Sequence, residues 1–187
     1  ANAEKRYTDA IEQFNYVIKL APDYSSGYSF RAESYVGLKQ YDKAIDDIVK
    51  ALDINGDTNT LGLMLQVADS ASVPLVAKLK VQAAKAPNNA KWLYFLGRVY
   101  DQTNAYKEAI KYFKSYYEKD PDAAVAYSMS LCYGNMSDFS AALKSIDKAI
   151  AQDSTDYDYV MLKADFLYES GNPKEAIAES SKYIRHK

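Results

Sequence analysis

Apolar side chains recur along this chain at offsets of 0, 3, 4, 7, 10 and 11 residues, which places all six on one face of an α-helix. Tyr7, Ala10, Ile11, Phe14, Val17 and Ile18 form the first set, and Tyr41, Ala44, Ile45, Ile48, Ala51 and Leu52 the second. Further sets begin at Tyr106 (Ala109, Ile110, Phe113, Tyr116, Tyr117), at Phe139 (Ala142, Leu143, Ile146, Ala149, Ile150) and at Pro173 (Ala176, Ile177, Ser180, Tyr183, Ile184). A weaker one begins at Ser72, with Leu75, Val76 and Leu79. Each set predicts an amphipathic helix.

The sets start at 7, 41, 72, 106, 139 and 173, so the spacings are 34, 31, 34, 33 and 34. Fifteen residues after a start come Pro22, Gly56, Pro87, Pro121 and Ser154. Proline cannot continue the helical hydrogen bonding and glycine readily takes the left-handed cap, so these positions predict helix ends. A second helix is expected upstream of each start. Ten, nine and six residues before it stand Arg31, Ala32, Tyr35; Leu96, Gly97, Tyr100; Met129, Ser130, Tyr133; and Lys163, Ala164, Leu167. The middle residue is always small, as close approach of two helices requires, and Ala44, Ala109, Ala142 and Ala176 are expected to supply the matching gap. A period near 34 of helix, short turn, helix and breaker describes hairpins that stack, because one hairpin alone cannot bury both of its apolar faces.

This pattern resembles the tetratricopeptide repeat family. Leu93, Leu96, Gly97, Tyr100, Tyr106, Ala109, Phe113 and Pro121 match nearly every family position in one repeat. The resemblance implies an all-α fold, a right-handed superhelical solenoid of antiparallel helix hairpins, running through 1–187 as a single repeat domain. A lone helix is expected at about 5–21, with repeats at about 25–56, 59–87, 90–121, 123–155 and 157–187. The repeat at 59–87 is irregular. It is three residues short, Leu63 takes the small-residue slot, Gln66 replaces the tyrosine and Ser72 replaces the aromatic start. It is read as a distorted hairpin; alternatively Leu61, Leu63, Met64 and Leu65 present an apolar patch to a partner. The helix at 5–21 has no first helix of its own, which leaves Tyr7, Ile11 and Phe14 partly uncovered. The chain therefore reads as a fragment of a longer protein, or as one that associates through that face. Tyr183 and Ile184 likewise have no polar capping helix after them.

Composition narrows the chemistry. Net charge is −2, and acidic and basic residues such as Asp46, Asp47 and Lys50 are interspersed, which reads as solvated helix faces and not as a nucleic-acid footprint. Carboxylate pairs such as Asp46–Asp47 are expected in exposed settings. No run approaches the roughly 20 apolar residues of a bilayer span, so direct membrane insertion is not expected. The 18 tyrosines supply most of the aromatic content, and 7 glycines and 5 prolines leave few breakers, in keeping with an all-helical chain. The single cysteine, Cys132, excludes an internal disulfide and reads as a small buried hydrophobe. The single histidine, His186, is next to the last residue, and no phosphate loop, zinc motif or nucleophile elbow occurs. No catalysis, cofactor or metal is expected.

What the resemblance implies is a groove. Side chains at fixed positions of the first helices line the concave face in proteins of this kind. Those positions carry Ser26, Ser29 and Glu33 in the second repeat; Lys91, Tyr94, Arg98 and Asp101 in the fourth; Tyr127, Leu131 and Asn135 in the fifth; and Asp158, Met161, Asp165, Tyr168 and Glu169 in the sixth. Tyrosine offers rigid contact area with a hydroxyl, and arginine can grip a carboxylate with two N–H groups. Lys91, Tyr94 and Arg98 form the best local candidate for an acidic or C-terminal peptide group, the alternative being a polar face with no ligand. Some family members hold acidic chaperone tails with lysines and asparagines, but Ser29 and Glu33 stand where such residues would be needed. The expected partner is a protein or peptide, with a spacer or self-association role through the terminal helices as the second possibility.

Overall fold

The computed structural model describes residues 2–184, with side chains as far as Ser181. Among these residues there are ten helices and no strand. They are α1 (Asn2–Leu20), α2 (Ser25–Gly37), α3 (Tyr41–Ile54), α4 (Thr58–Lys85), α5 (Lys91–Gln102), α6 (Tyr106–Tyr117), α7 (Ala123–Asn135), α8 (Phe139–Gln152), α9 (Tyr157–Glu169) and α10 (Pro173–Ile184). Four of the six period starts (Tyr41, Tyr106, Phe139 and Pro173) are the first residues of α3, α6, α8 and α10. The breakers follow the helices they were expected to end. The side chains of Tyr183 and Ile184, and all of His186, lie outside the described residues.

Four hairpins close in the same way. Lys39, Asn104, Ser137 and Gly171 take left-handed backbone, with φ of 58°, 58°, 59° and 85°. The residue after each donates its N–H back to the carbonyl of Tyr35, Tyr100, Tyr133 or Leu167, at 2.8–3.0 Å. This is the Schellman arrangement, which satisfies carbonyls that the helix end would orphan. Its acceptor residue is the large one that recurs six places before each period start.

The small residues do what close packing asks. Ala32, Gly97, Ser130 and Ala164 are buried, as are Ala44, Ala109, Ala142 and Ala176. At Gly97, however, the neighbour is not Ala109. A Cβ placed there would meet the Phe113 ring first, at 2.5 Å, so the glycine makes room for an aromatic one turn further along α6.

The chain divides into two compact units, Ala1–Pro87 and Asn88–Lys187. In the first, α1 packs on α2 through the stacked Phe14 and Phe30 rings (5.6 Å) and through Tyr7, whose ring sits over Gly37. Arg31 of α2 binds both Asp47 carboxylate oxygens of α3 at 2.6 and 2.7 Å and also donates to Asn15 of α1. Asp47 is thus buried and paired, not solvated as its sequence context suggested. Ala44, Ile45, Ile48, Met64, Leu75 and Leu79 form the interior, each fully buried large side chain contributing about 1.5–3 kcal/mol.

The irregular repeat is a pair of helices that follow one another directly within α4, parted only by the non-helical Ala71 (φ −148°, ψ 45°). Ala71 alone stands where three residues, 38–40, 136–138 and 170–172, make the left-handed turn in other hairpins. Leu63 and Met64 are 6% and 0% exposed, so half of the apolar patch considered for a partner belongs to the unit's own core, while Leu61 and Leu65 are half-buried. By length and composition an 18-residue stretch of α4 is apolar enough to cross a membrane, contrary to the expectation that no segment approaches this. A break at Ala71 and burial of Leu63, Met64, Val67, Ala68, Leu75 and Leu79 are what a core helix shows.

In the second unit the first helices α5, α7 and α9 form one layer and the second helices α6, α8 and α10 another. Cys132 of α7 donates its S–H to Asp101 of α5 (3.3 Å), and the Phe166 ring of α9 fills the space over Gly134 of α7. In the other layer, Gln152 of α8 donates to the Tyr117 hydroxyl of α6 at 2.7 Å. Lys163 joins the layers at the end of the unit, bound to Asp147 of α8 (2.9 Å) and Glu179 of α10 (3.3 Å).

Candidate functional site

Trp92, Leu96 and Val99 turn one face of α5 into the core, which leaves Lys91, Tyr94, Arg98 and Asp101 on the opposite one. These four are half-buried. Tyr94 and Arg98 form a unit one helical turn apart: Arg98 Nη1 donates to the Tyr94 hydroxyl at 2.8 Å, and its guanidinium carbon lies 5.7 Å from the ring centroid. The Tyr94 ring leans on Phe113 (6.4 Å) and Tyr116 (5.8 Å) of α6, so the side chain that positions Arg98 is itself held by the core. The Lys91 ammonium lies 4.9 Å from the centroid of the Trp92 ring. Asp101, at the other end of the stripe, accepts the Cys132 thiol. Burial and this carboxylate push the thiol well above its usual range, which keeps Cys132 protonated and inert.

On α7, Tyr127 is half-buried and packs against Tyr159 of α9, the rings tilted by 38° with centroids 5.3 Å apart; Asn135 at the far end is exposed. On α9, Met161 is half-buried while Asp158, Asp165, Tyr168 and Glu169 are exposed, Tyr168 to 65%. Burial raises the hydroxyls of Tyr127 and Tyr159 above the ordinary tyrosine value, and nearby carboxylates add to this: Asp158 and Asp156 for Tyr127, Asp156, Asp122 and Asp153 for Tyr159. Asp122 and Asp156 cap α7 and α9, accepting from the backbone N–H of Val125 (3.0 Å) and Asp158 (2.9 Å).

The second unit therefore brings together Lys91, Tyr94, Arg98, Asp101, Tyr127, Asn135, Met161, Asp165 and Tyr168 on the first-helix layer. The residues of the first unit stand apart from that description. Glu33 is exposed on α2, but Ser29 is 1% exposed and its hydroxyl pairs with that of Thr60 on α4. Ser29 joins two neighbouring first helices and offers nothing to solvent, which corrects its assignment to a binding surface. Sequence reasoning also missed Tyr116 and Tyr159, which pack on Tyr94 and Tyr127. Tyr116 stood in plain view as part of an apolar set, but only the fold turns it toward Tyr94.

Tetratricopeptide repeat models match residues 25–58 and, in a second family model, residues 79–124 and 132–185. Comparison with curated proteins gives no match. Among solved structures, the C-terminal part of a TPR repeat-containing protein from Cytophaga hutchinsonii is 16% identical, covering 96% of this chain and 75% of that one, with a TM-score of 0.62. Yeast Tom70 is 18% identical over 92% of this chain and 38% of its own, also with a TM-score of 0.62. A structure of MamA (MSR-1) is 21% identical over 86% of this chain and 95% of its own, with a TM-score of 0.59. At these identities the likeness is one of fold. The sequence matches, the recurring Schellman turns and the two-layered hairpins agree: this chain belongs to the tetratricopeptide repeat family.

Proposed function

We propose that the face of the second unit formed by α5, α7 and α9 binds an extended or helical segment of a partner protein. Tetratricopeptide repeats are protein-interaction scaffolds, typically without catalysis of their own. The observation that carries the finer reading is the Tyr94–Arg98 pair. A core-held ring presents a guanidinium in a fixed place, so little entropy is lost when a carboxylate docks there. Tyr127, Met161 and Tyr168 continue the same face with aromatic and thioether contact area, the side-chain types that dominate protein interfaces. The family-model match over 79–124 runs through the boundary between the units, which favours treating 1–187 as one repeat domain.

The test is partner capture from native extract by the chain and by two variants of equal helicity. One carries Arg98→Glu with Tyr168→Ser; the other alters Lys107 and Glu108, exposed on α6. Proteins lost only from the first variant support the reading; an identical set from all three overturns it.

A second reading is self-association through α1. Tyr7 and Phe14 are partly covered by α2, but Tyr16 and Leu20 of α1 are 63% and 67% exposed, and Tyr24, which precedes α2, is 50% exposed. Sedimentation of Tyr16→Ser with Leu20→Gln decides it: a concentration-dependent dimer that survives these changes removes α1 as its interface.

A further inference from the structure

Aligned by their period, the first helices of the second unit present the same slots to solvent. One slot reads Lys91 on α5, Ala124 on α7 and Asp158 on α9. The slot two turns along reads Arg98, Leu131 and Asp165. Between them lie Tyr94, Tyr127 and Met161, without charge. Both charged slots run from positive through neutral to negative across the layer, and Glu169 adds to the negative side.

The surroundings keep that order. Lys91 occupies the first turn of α5, where the helix dipole disfavours a cation, whereas Asp158 sits favourably in the first turn of α9 beside its cap Asp156. Lys163, the cation within α9, is bound on the other side by Asp147 and Glu179. Two carboxylates of α5 and its surroundings keep their charge but already accept hydrogen bonds: Asp101 from Cys132, and Asp120 from the Tyr116 hydroxyl at 3.1 Å.

We propose that this face is a polarised dock for an extended peptide whose charges are segregated, its acidic end over Lys91 and Arg98 of α5, its apolar middle over Tyr127, and its basic end over Asp158 and Asp165 of α9. The inference rests on the binding face proposed above and adds the partner's charge order. α7 lies between α5 and α9 in side-chain contact with each, and since closely packed helices lie about 8–10 Å apart, the two are separated by at least about 20 Å, the span of about six extended residues or more. The end charges then fall over the charged slots. Backbone direction is left open, since either direction satisfies the same charge order.

The test uses capped eight-residue peptides followed by amide NMR of the whole chain. One has two glutamates at one end, two lysines at the other and an apolar middle; a second has the same composition with the charges alternating. The segregated peptide is expected to bind about tenfold more tightly at low salt, the advantage shrinking as salt rises. A nitroxide beside its glutamates should broaden α5 amides, and one beside its lysines should broaden α9 amides. With Lys91→Glu, Arg98→Glu, Asp158→Lys and Asp165→Lys combined, the pattern should invert. Peptides that shift the Tyr94, Tyr127 and Met161 amides with equal affinity, or labels that broaden α5 and α9 alike, overturn the charge order and leave the binding face standing. An all-basic peptide binding more tightly than the segregated one also overturns it. If neither mixed-charge peptide shifts those amides, the charge order and the binding face fall together.

Discussion

In the middle of a helix, glycine costs roughly 0.5–1 kcal/mol relative to alanine, so replacing it should stabilise wherever there is room. Gly62 has room: it is exposed on α4, and a Cβ there would meet no atom within 4 Å. Gly97 has none. Its Cβ would stand 2.5 Å from both Cδ1 and Cε1 of Phe113, a ring that is 0% exposed and packed against Tyr94. Overfilling a packed core costs about 1–3 kcal/mol, which outweighs the gain in helix propensity. Gly97→Ala should therefore lose up to about 2.5 kcal/mol, the overpacking cost less the propensity gain. Gly62→Ala should gain about 0.5–1 kcal/mol. Urea unfolding followed by circular dichroism and by Trp92 fluorescence measures both; Trp92, the only tryptophan, is 1% exposed on α5 and reports on the second unit. In a Phe113→Leu background the clash is relieved, and Gly97→Ala should become neutral or stabilising, a coupling of about 1–2 kcal/mol. Two results refute the reasoning: Gly97→Ala stabilising as much as Gly62→Ala, or strict additivity between positions 97 and 113.

Ser137 closes its hairpin at φ 59°, a region that costs a side chain about 1–2 kcal/mol. Ser137→Gly should raise the unfolding free energy by about 0.5–1 kcal/mol, and a loss of stability would contradict the turn geometry. Tyr116 is raised from 10.0 to about 12, first by burial and then by its hydrogen bond to Asp120. Because the folded value is the higher one, its contribution is whole below pH 10 and is lost as pH rises through 12. Tyr116→Phe should make stability fall less steeply over that window, and unchanged steepness tells against it. Cys132 is fully buried with a raised thiol, so its modification by a disulfide reagent at pH 8 should proceed only as fast as the native state opens. Labelling as fast as an unfolded control in urea would contradict this.

The helices, their order and the repeat were legible in the sequence because each depends on local spacing. An apolar stripe of period 3.6 names a helix face, and a proline or glycine after it names the end. Ala44, Ala109 and Ala142 were recognisable as contact residues, and all three are 0% exposed. The candidate face was legible to the extent that helix position fixes which way a residue points. That sufficed for Lys91, Tyr94, Arg98 and the residues of α9. It failed at Ser29, because whether a slot faces solvent depends on the helix beside it, and Thr60 of the irregular repeat stands against it. It failed again at Asp47, whose burial beside Arg31 follows from the docking of α2 on α3.

Sequence by itself thus determined the class of fold, the period and the register of each hairpin, since these follow from which residues recur on one side of a helix. Tertiary structure alone decided that three non-glycine residues, Lys39, Asn104 and Ser137, take left-handed turns, and that α4 bends at Ala71 without such a turn. It also decided that Gly97 faces Phe113 and that Tyr94 holds Arg98 in place. Each of these depends on what a neighbouring element brings within a few ångströms, a distance that no spacing along a single helix encodes.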